Sequence, residues 1–163
     1  LFKLPRHLVQ LAAAKSLNVS GWGGKENAIG QALFPSALRV SSPLFDYIIK
    51  DNDKTHRIEL KKQSNDQWFD ISKYHNLSQR DRGIVVVFVI HKAGTICRIA
   101  AIQLGSLLDH LLLHDNFKQY GWSKNAIKMG YELRSESPQL QFKAKLKVRD
   151  LIAQEPHLFD ILL

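Results

Sequence analysis

At 163 residues with 45% apolar side chains, the chain is long enough to bury a core without disulfide or metal staples. Its net charge of +8, from 23 Lys and Arg against 15 Asp and Glu, argues against a cationic partner. It favours an anionic one, because neutralising phosphates with basic side chains releases counterions.

The single cysteine, Cys97, excludes an internal disulfide, and no Cys/His spacing resembles a zinc framework. A reducing, cytoplasmic setting follows as the expectation. No apolar run approaches the roughly 18 residues of a membrane span, so no membrane partner is expected. Residues 1–15 are a poor signal peptide, since the short apolar stretch from Leu8 to Ala14 is broken by Gln10. The first residue is Leu and not Met, as in a processed or trimmed chain.

Pro5 in a first turn predicts a helix over residues 6–16. After the loop Ser20-Gly21-Trp22-Gly23-Gly24, the spacing of Ala28, Ile29, Ala32 and Leu33 predicts a second helix over 25–38, broken near Pro35. The period then switches to two. Residues 45–49 and 56–61 read as strands joined by turn chemistry at Asp51-Asn52-Asp53-Lys54. Residues 66–77, with Trp68 and Phe69, read as a helix. Residues 84–90 are apolar at every position, as in a buried central strand. Ala93-Gly94-Thr95 turns the chain into a strand over 96–104, and 105–113 reads as a helix. Residues 140–148 alternate like a strand, and 149–163 closes as a helix. The class is α+β (mixed α/β): a central, mainly antiparallel sheet with flanking helices, in a single domain over 1–163.

The first hairpin carries the chemistry. If Asn52 and Asp53 are the central turn residues, Asp51 opposes Lys54, and the same register places Asp46 opposite Glu59 with Cβ atoms about 5 Å apart. Two facing carboxylates repel, which a purely structural hairpin avoids. Mg²⁺ removes the objection, since it takes one or two carboxylates and keeps several waters. Lys61, two residues after Glu59, shares its face, while Tyr47, Ile49, Ile58 and Leu60 point the other way.

An Asp, a short gap and then Glu59-Leu60-Lys61 resembles the PD-(D/E)xK nuclease superfamily, which includes many type II restriction endonucleases. Phe45 stands where that family loosely keeps a proline before the aspartate. The resemblance covers roughly residues 25–113, which it implies are the catalytic core of a restriction-endonuclease-like fold. It implies that Asp46 and Glu59 ligate Mg²⁺ (Mn²⁺ substituting), with the Leu60 carbonyl assisting. Lys61 would orient or activate the attacking water. Glu26, on the preceding helix, suits the additional glutamate that members often carry, and Gln63 suits a contact to DNA or water beside the metal. The implied activity is endonucleolytic hydrolysis of double-stranded DNA by a homodimer. Two rivals stand beside it: a Holliday-junction resolvase or repair nuclease of the same superfamily, and a basic DNA-binding module without chemistry.

Outside that core, Lys143, Lys145 and Lys147 alternate with apolar residues, either as a phosphate-contacting ridge or as a solvated edge strand. Residues 114–163 would thus contact DNA or the second subunit. Lys73, Arg80 and Arg82 are further candidates for DNA contact. His110 and His114, four apart on a helix, read as a solvated face and not as zinc ligands. Cys97 reads as a small core residue, and Trp22 and Trp122 as packing residues.

Overall fold

The apolar run at 84–90 dictates the architecture, because a strand buried on both faces needs a layer on each side. In the computed structural model, which describes residues 1–21, 25–71, 74, 77–113 and 145–163, that run forms β5 (Val85–Lys92). The other strands are β1 (Leu38–Arg39), β2 (Tyr47–Asp51), β3 (Lys54–Ser64), β4 (Phe69–Asp70), β6 (Thr95–Gln103), β7 (Lys145–Leu146) and β8 (Asp160–Ile161). The α-helices are α1 (Leu11–Lys15), α2 (Lys25–Leu33), α3 (Leu104–Leu113) and α4 (Val148–Gln154).

Among the described residues six strands form one mixed sheet in the order β1-β2-β3-β5-β6-β8, with β5 in its interior as expected. Neighbours are antiparallel except β3 and β5, which run parallel from Ile58 beside Val85 to Ser64 beside His91. β4 and β7 form a separate antiparallel pair. One sheet face is covered by α1, α2 and the segment around Leu4 and Leu8, packed on Ile49, Ile58, Leu60 and Val87. The other is covered by α3, α4, Phe69 and Tyr74, packed on Val86, Phe88 and Ile90.

The hairpin turns have identifiable causes. Asn52 sits at φ 57°, a left-handed conformation that asparagine tolerates better than most residues. Ala93 and Gly94 sit at φ 51° and 86°, the pattern of a two-residue type I′ turn between Lys92 and Thr95.

Several expectations require correction. Residues 6–16 are not one helix: a 3-10 turn at Arg6–Leu8 is followed by extended Val9, and the Gln10 N–H donates to the Leu33 carbonyl at 2.8 Å. The second helix ends at Leu33, just before the Pro35 break. The segment expected as a helix over 66–77 contains β4, because Phe69 and Ile71 are buried while Trp68 and Asp70 are exposed. That is a period of two, completed by Phe69 pairing with Leu146. Of the strand expected at 140–148, residues 140–144 lie outside the described residues, 145–146 are strand, and α4 begins at Val148. The closing helix stops at Gln154, since Pro156 has no N–H to continue it, and the chain returns as β8 on the edge of β6. Cys97 is exposed and not a core residue. His110 is only 8% exposed, on the inner side of α3, and so is not on a solvated face. His114, Trp22 and Trp122 lie outside the described residues.

Candidate active site

The β2–β3 register follows the turn chemistry: Asp51 opposes Lys54, and the ladder continues to Tyr47 opposite Ile58. It ends there. The Asp46 N–H donates to the Ile58 carbonyl at 2.8 Å, so Asp46 steps out of the ladder and does not pair with Glu59. β3 runs on to Ser64 and leaves backbone donors bare along that edge. Two carboxylates accept from them. Leu60 N–H donates to Asp46 Oδ2 at 3.0 Å, and Lys62 N–H donates to Glu26 Oε2 at 3.2 Å. The uncovered edge of β3 thereby draws Glu26, on α2, and Asp46, before β2, to the same place.

Glu59 and Lys61 project from the face of β3 that also carries Val86 and Phe88 on β5. Glu59 is only 4% exposed, so the polar side of the hairpin is not a solvated one. Lys61 Nζ lies 3.5 Å from Glu59 Oε1, and the Tyr74 hydroxyl donates to Glu59 Oε2 at 3.3 Å. Burial, and then the negative charge of Glu59, push the Tyr74 phenol far above its ordinary value. Tyr74 therefore remains a hydrogen-bond donor throughout the working pH range.

Glu26, Asp46, Glu59 and Lys61 line one cleft of about 210 Å³ together with Asn27, Arg39 and Tyr47. Asn27 Oδ1 accepts from the Tyr47 hydroxyl at 3.2 Å, and burial followed by the Asp46 charge raises the Tyr47 phenol above its usual value. A Cβ at position 30 would collide with the Tyr47 ring, so Gly30 lets α2 approach closely enough to deliver Glu26. Tyr74, Asn27 and Arg39 escape a reading of the sequence. The only hint was Tyr74 itself, an aromatic in the segment after the hairpin.

Of the other candidates, Gln63 lines a hollow adjoining the cleft, with Lys61 and Glu26 common to both. The Leu60 side chain is in the core. Lys147 places its ammonium 5.8 Å from the Trp68 ring centroid, and the Lys145 backbone in β7 stands opposite that of Asp70 in β4. Arg82 is turned onto α3, where it donates to the Gly105 carbonyl at 3.1 Å and to Asp109. Arg80 is exposed in the turn before the 3-10 segment Asp81–Gly83, away from the lining of the cleft. Lys73 and Lys143 lie outside the described residues.

Among the described residues no three His, Cys, Asp or Glu side chains stand together as a metal-ligand set. Magnesium does not need three, since one or two carboxylates with water suffice. Asp46 and Glu59 both line the cleft, and their carboxylates are hard oxygen donors of the type that Mg²⁺ takes. No helix among the described residues is long and apolar enough to cross a membrane. No family model, curated protein or solved structure matches the chain.

Proposed function

We propose that the protein is a Mg²⁺-dependent endodeoxyribonuclease of PD-(D/E)xK type, cutting double-stranded DNA in the manner of a type II restriction endonuclease. The observation that carries this reading is the convergence of Asp46, Glu59, Lys61 and Glu26 on one cleft from three separate chain segments. A buried glutamate held by a lysine and a tyrosine is costly for a fold to keep without a use.

Asp46 and Glu59 would hold the ion, with the Leu60 carbonyl on the same edge of β3 as the N–H that Asp46 accepts. When bound, Mg²⁺ supplies a Lewis acid for the phosphoryl oxygens and lowers the pKa of a water. The chain's own residues do the rest. Lys61, 28% exposed at its side chain, offers its ammonium to the charge that grows on the phosphate oxygens and orients the attacking water. Tyr74 keeps Glu59 aimed into the cleft. Glu26 holds the free edge of β3 and so fixes where α2 sits. The excess of basic side chains supplies affinity for the phosphate backbone. A homodimer accounts for cutting two strands with one such cleft per chain.

Calorimetric titration with Mg²⁺ and Mn²⁺ tests the site. Asp46→Asn retains an oxygen for the Leu60 N–H but removes the charge, so metal uptake should fall at least tenfold in a folded protein. Absence of metal uptake by the wild type, or equal uptake by the variant, contradicts the assignment.

A further inference from the structure

Beside the cleft lies a hollow of about 520 Å³, joined to it through Glu26 and Lys61. Two of its lining residues are not explained by the fold. Gln63 is 5% exposed, yet its Oε1 is buried with no hydrogen-bond partner among the described residues. A buried acceptor without a donor is destabilising, so its retention points to a donor arriving from outside. Trp68 is 43% exposed although its neighbour Phe69 is in the core. The Lys147 ammonium, 5.8 Å from its centroid, braces the indole. An exposed indole beside an unmet amide oxygen is the pair of features that holds a flat, donor-bearing ring.

The charges around the hollow argue about which ring. Glu26 and Asp70 stand on its lining together with Lys61 and Lys62, so the hollow carries no excess of positive charge to draw in a phosphate. The Lys62 ammonium is engaged by the Val19 and Gly21 carbonyls. Gln67 Oε1 already accepts from the Ser64 N–H at 3.0 Å. What remains is space for an uncharged planar group one step from Lys61.

We infer that this hollow receives one unpaired nucleobase of the cleaved strand, stacked on Trp68, with a base N–H donating to Gln63 Oε1. This rests on the nuclease reading and deepens it by naming the state of the substrate beside the scissile phosphate. Every nucleobase carries an N–H on its pairing edge, so the pocket demands that the edge be free, not that it have a given identity. A base inside a duplex must first be extruded, at a cost that is least where it is mismatched or already single-stranded.

The test uses the full chain in EDTA and fluorescence anisotropy. One probe is a 12-nucleotide single strand; the other is the same backbone built of abasic tetrahydrofuran units with equal phosphates. The wild type should bind the base-bearing strand more tightly by about 5- to 150-fold, the range of stacking one base on an aromatic side chain. Trp68→Ala should reduce that ratio at least fivefold. Gln63→Leu should also reduce it while leaving the melting temperature equal or higher, because an apolar group of similar length replaces an unmet amide. A structural Gln63 would instead lower the melting temperature and leave the ratio alone, which overturns the inference. So does a ratio unchanged in both variants. If duplex DNA is still cleaved with Mg²⁺ in that case, the base pocket alone is wrong. If the wild type binds neither strand and cuts no duplex, the nuclease reading falls with it.

Discussion

Replacing Asp160 should loosen the whole fold without touching the cleft. Its carboxylate, with no exposed side-chain surface, accepts from the Leu4 N–H at 2.8 Å and from both Arg6 guanidinium nitrogens at 2.8 and 2.7 Å. These bonds tie residues 4–6 to β8 on the far edge of the sheet. In Asp160→Ala the Arg6 side chain, already half exposed, turns to water at little cost. The buried Leu4 N–H cannot, and stranding it costs about 1–3 kcal/mol. Adding about 1 kcal/mol for the bidentate pair gives a loss of about 2–4 kcal/mol. For a chain of this length that is roughly 5–15 °C in Tm. Burial pulls the Asp160 carboxyl up, but the Arg6 bonds and the Leu4 N–H together hold it below its ordinary value. The stabilisation is therefore complete above the unfolded value near pH 3.9 and is lost as pH falls through the folded one. Thermal melts at pH 7 should place Asp160→Ala below the wild type by that amount, and the gap between wild type and Asp160→Asn, which keeps an acceptor for the Leu4 N–H, should narrow as pH falls below about 3.9. Equal Tm values for wild type and Asp160→Ala at pH 7, or a gap to Asp160→Asn that does not narrow as pH falls below about 3.9, would refute the reasoning.

Two further substitutions probe how the cleft is assembled. Gly30→Ala gains up to about 1 kcal/mol in helix propensity but drives a methyl into the Tyr47 ring, an overpacking cost of about 1–3 kcal/mol. Urea denaturation should show net destabilisation, and DNA cleavage should fall as α2 and Glu26 retreat from the Lys62 N–H; a more stable, fully active variant would contradict that packing. Tyr74→Phe removes a donor from buried Glu59 and should cost about 1–3 kcal/mol by the same assay, with reduced cleavage. An unchanged urea midpoint would mean that Tyr74 does not support Glu59.

The hairpin was legible because its signals are local. Turn residues at 51–54 set the register, and apolar residues at Tyr47, Ile49, Ile58 and Leu60 set the face. The uniform apolarity of 84–90 likewise marked an interior strand. What could not be read depends on distant partners. Residues 68–71 become strand-like because Leu146 lies beside Phe69, and nothing within the segment announces that neighbour. The uncovered edge of β3 arises where β2 happens to start, so the bonds from Leu60 and Lys62 to Asp46 and Glu26 have no signature in spacing. Nor does the approach of α2 through Gly30, which brings Asn27 to Tyr47.

The most direct test of the central claim is cleavage of duplex DNA with Mg²⁺ by purified wild type and Lys61→Ala. The lysine acts on charge that develops in the transition state, whereas affinity comes from many phosphate contacts. Mg²⁺-dependent strand scission by the wild type is expected. Lys61→Ala should cut at least a hundredfold more slowly, with circular dichroism and most of the DNA affinity retained. Scission by Lys61→Ala at the wild-type rate, or none by the wild type on any duplex, would contradict that claim.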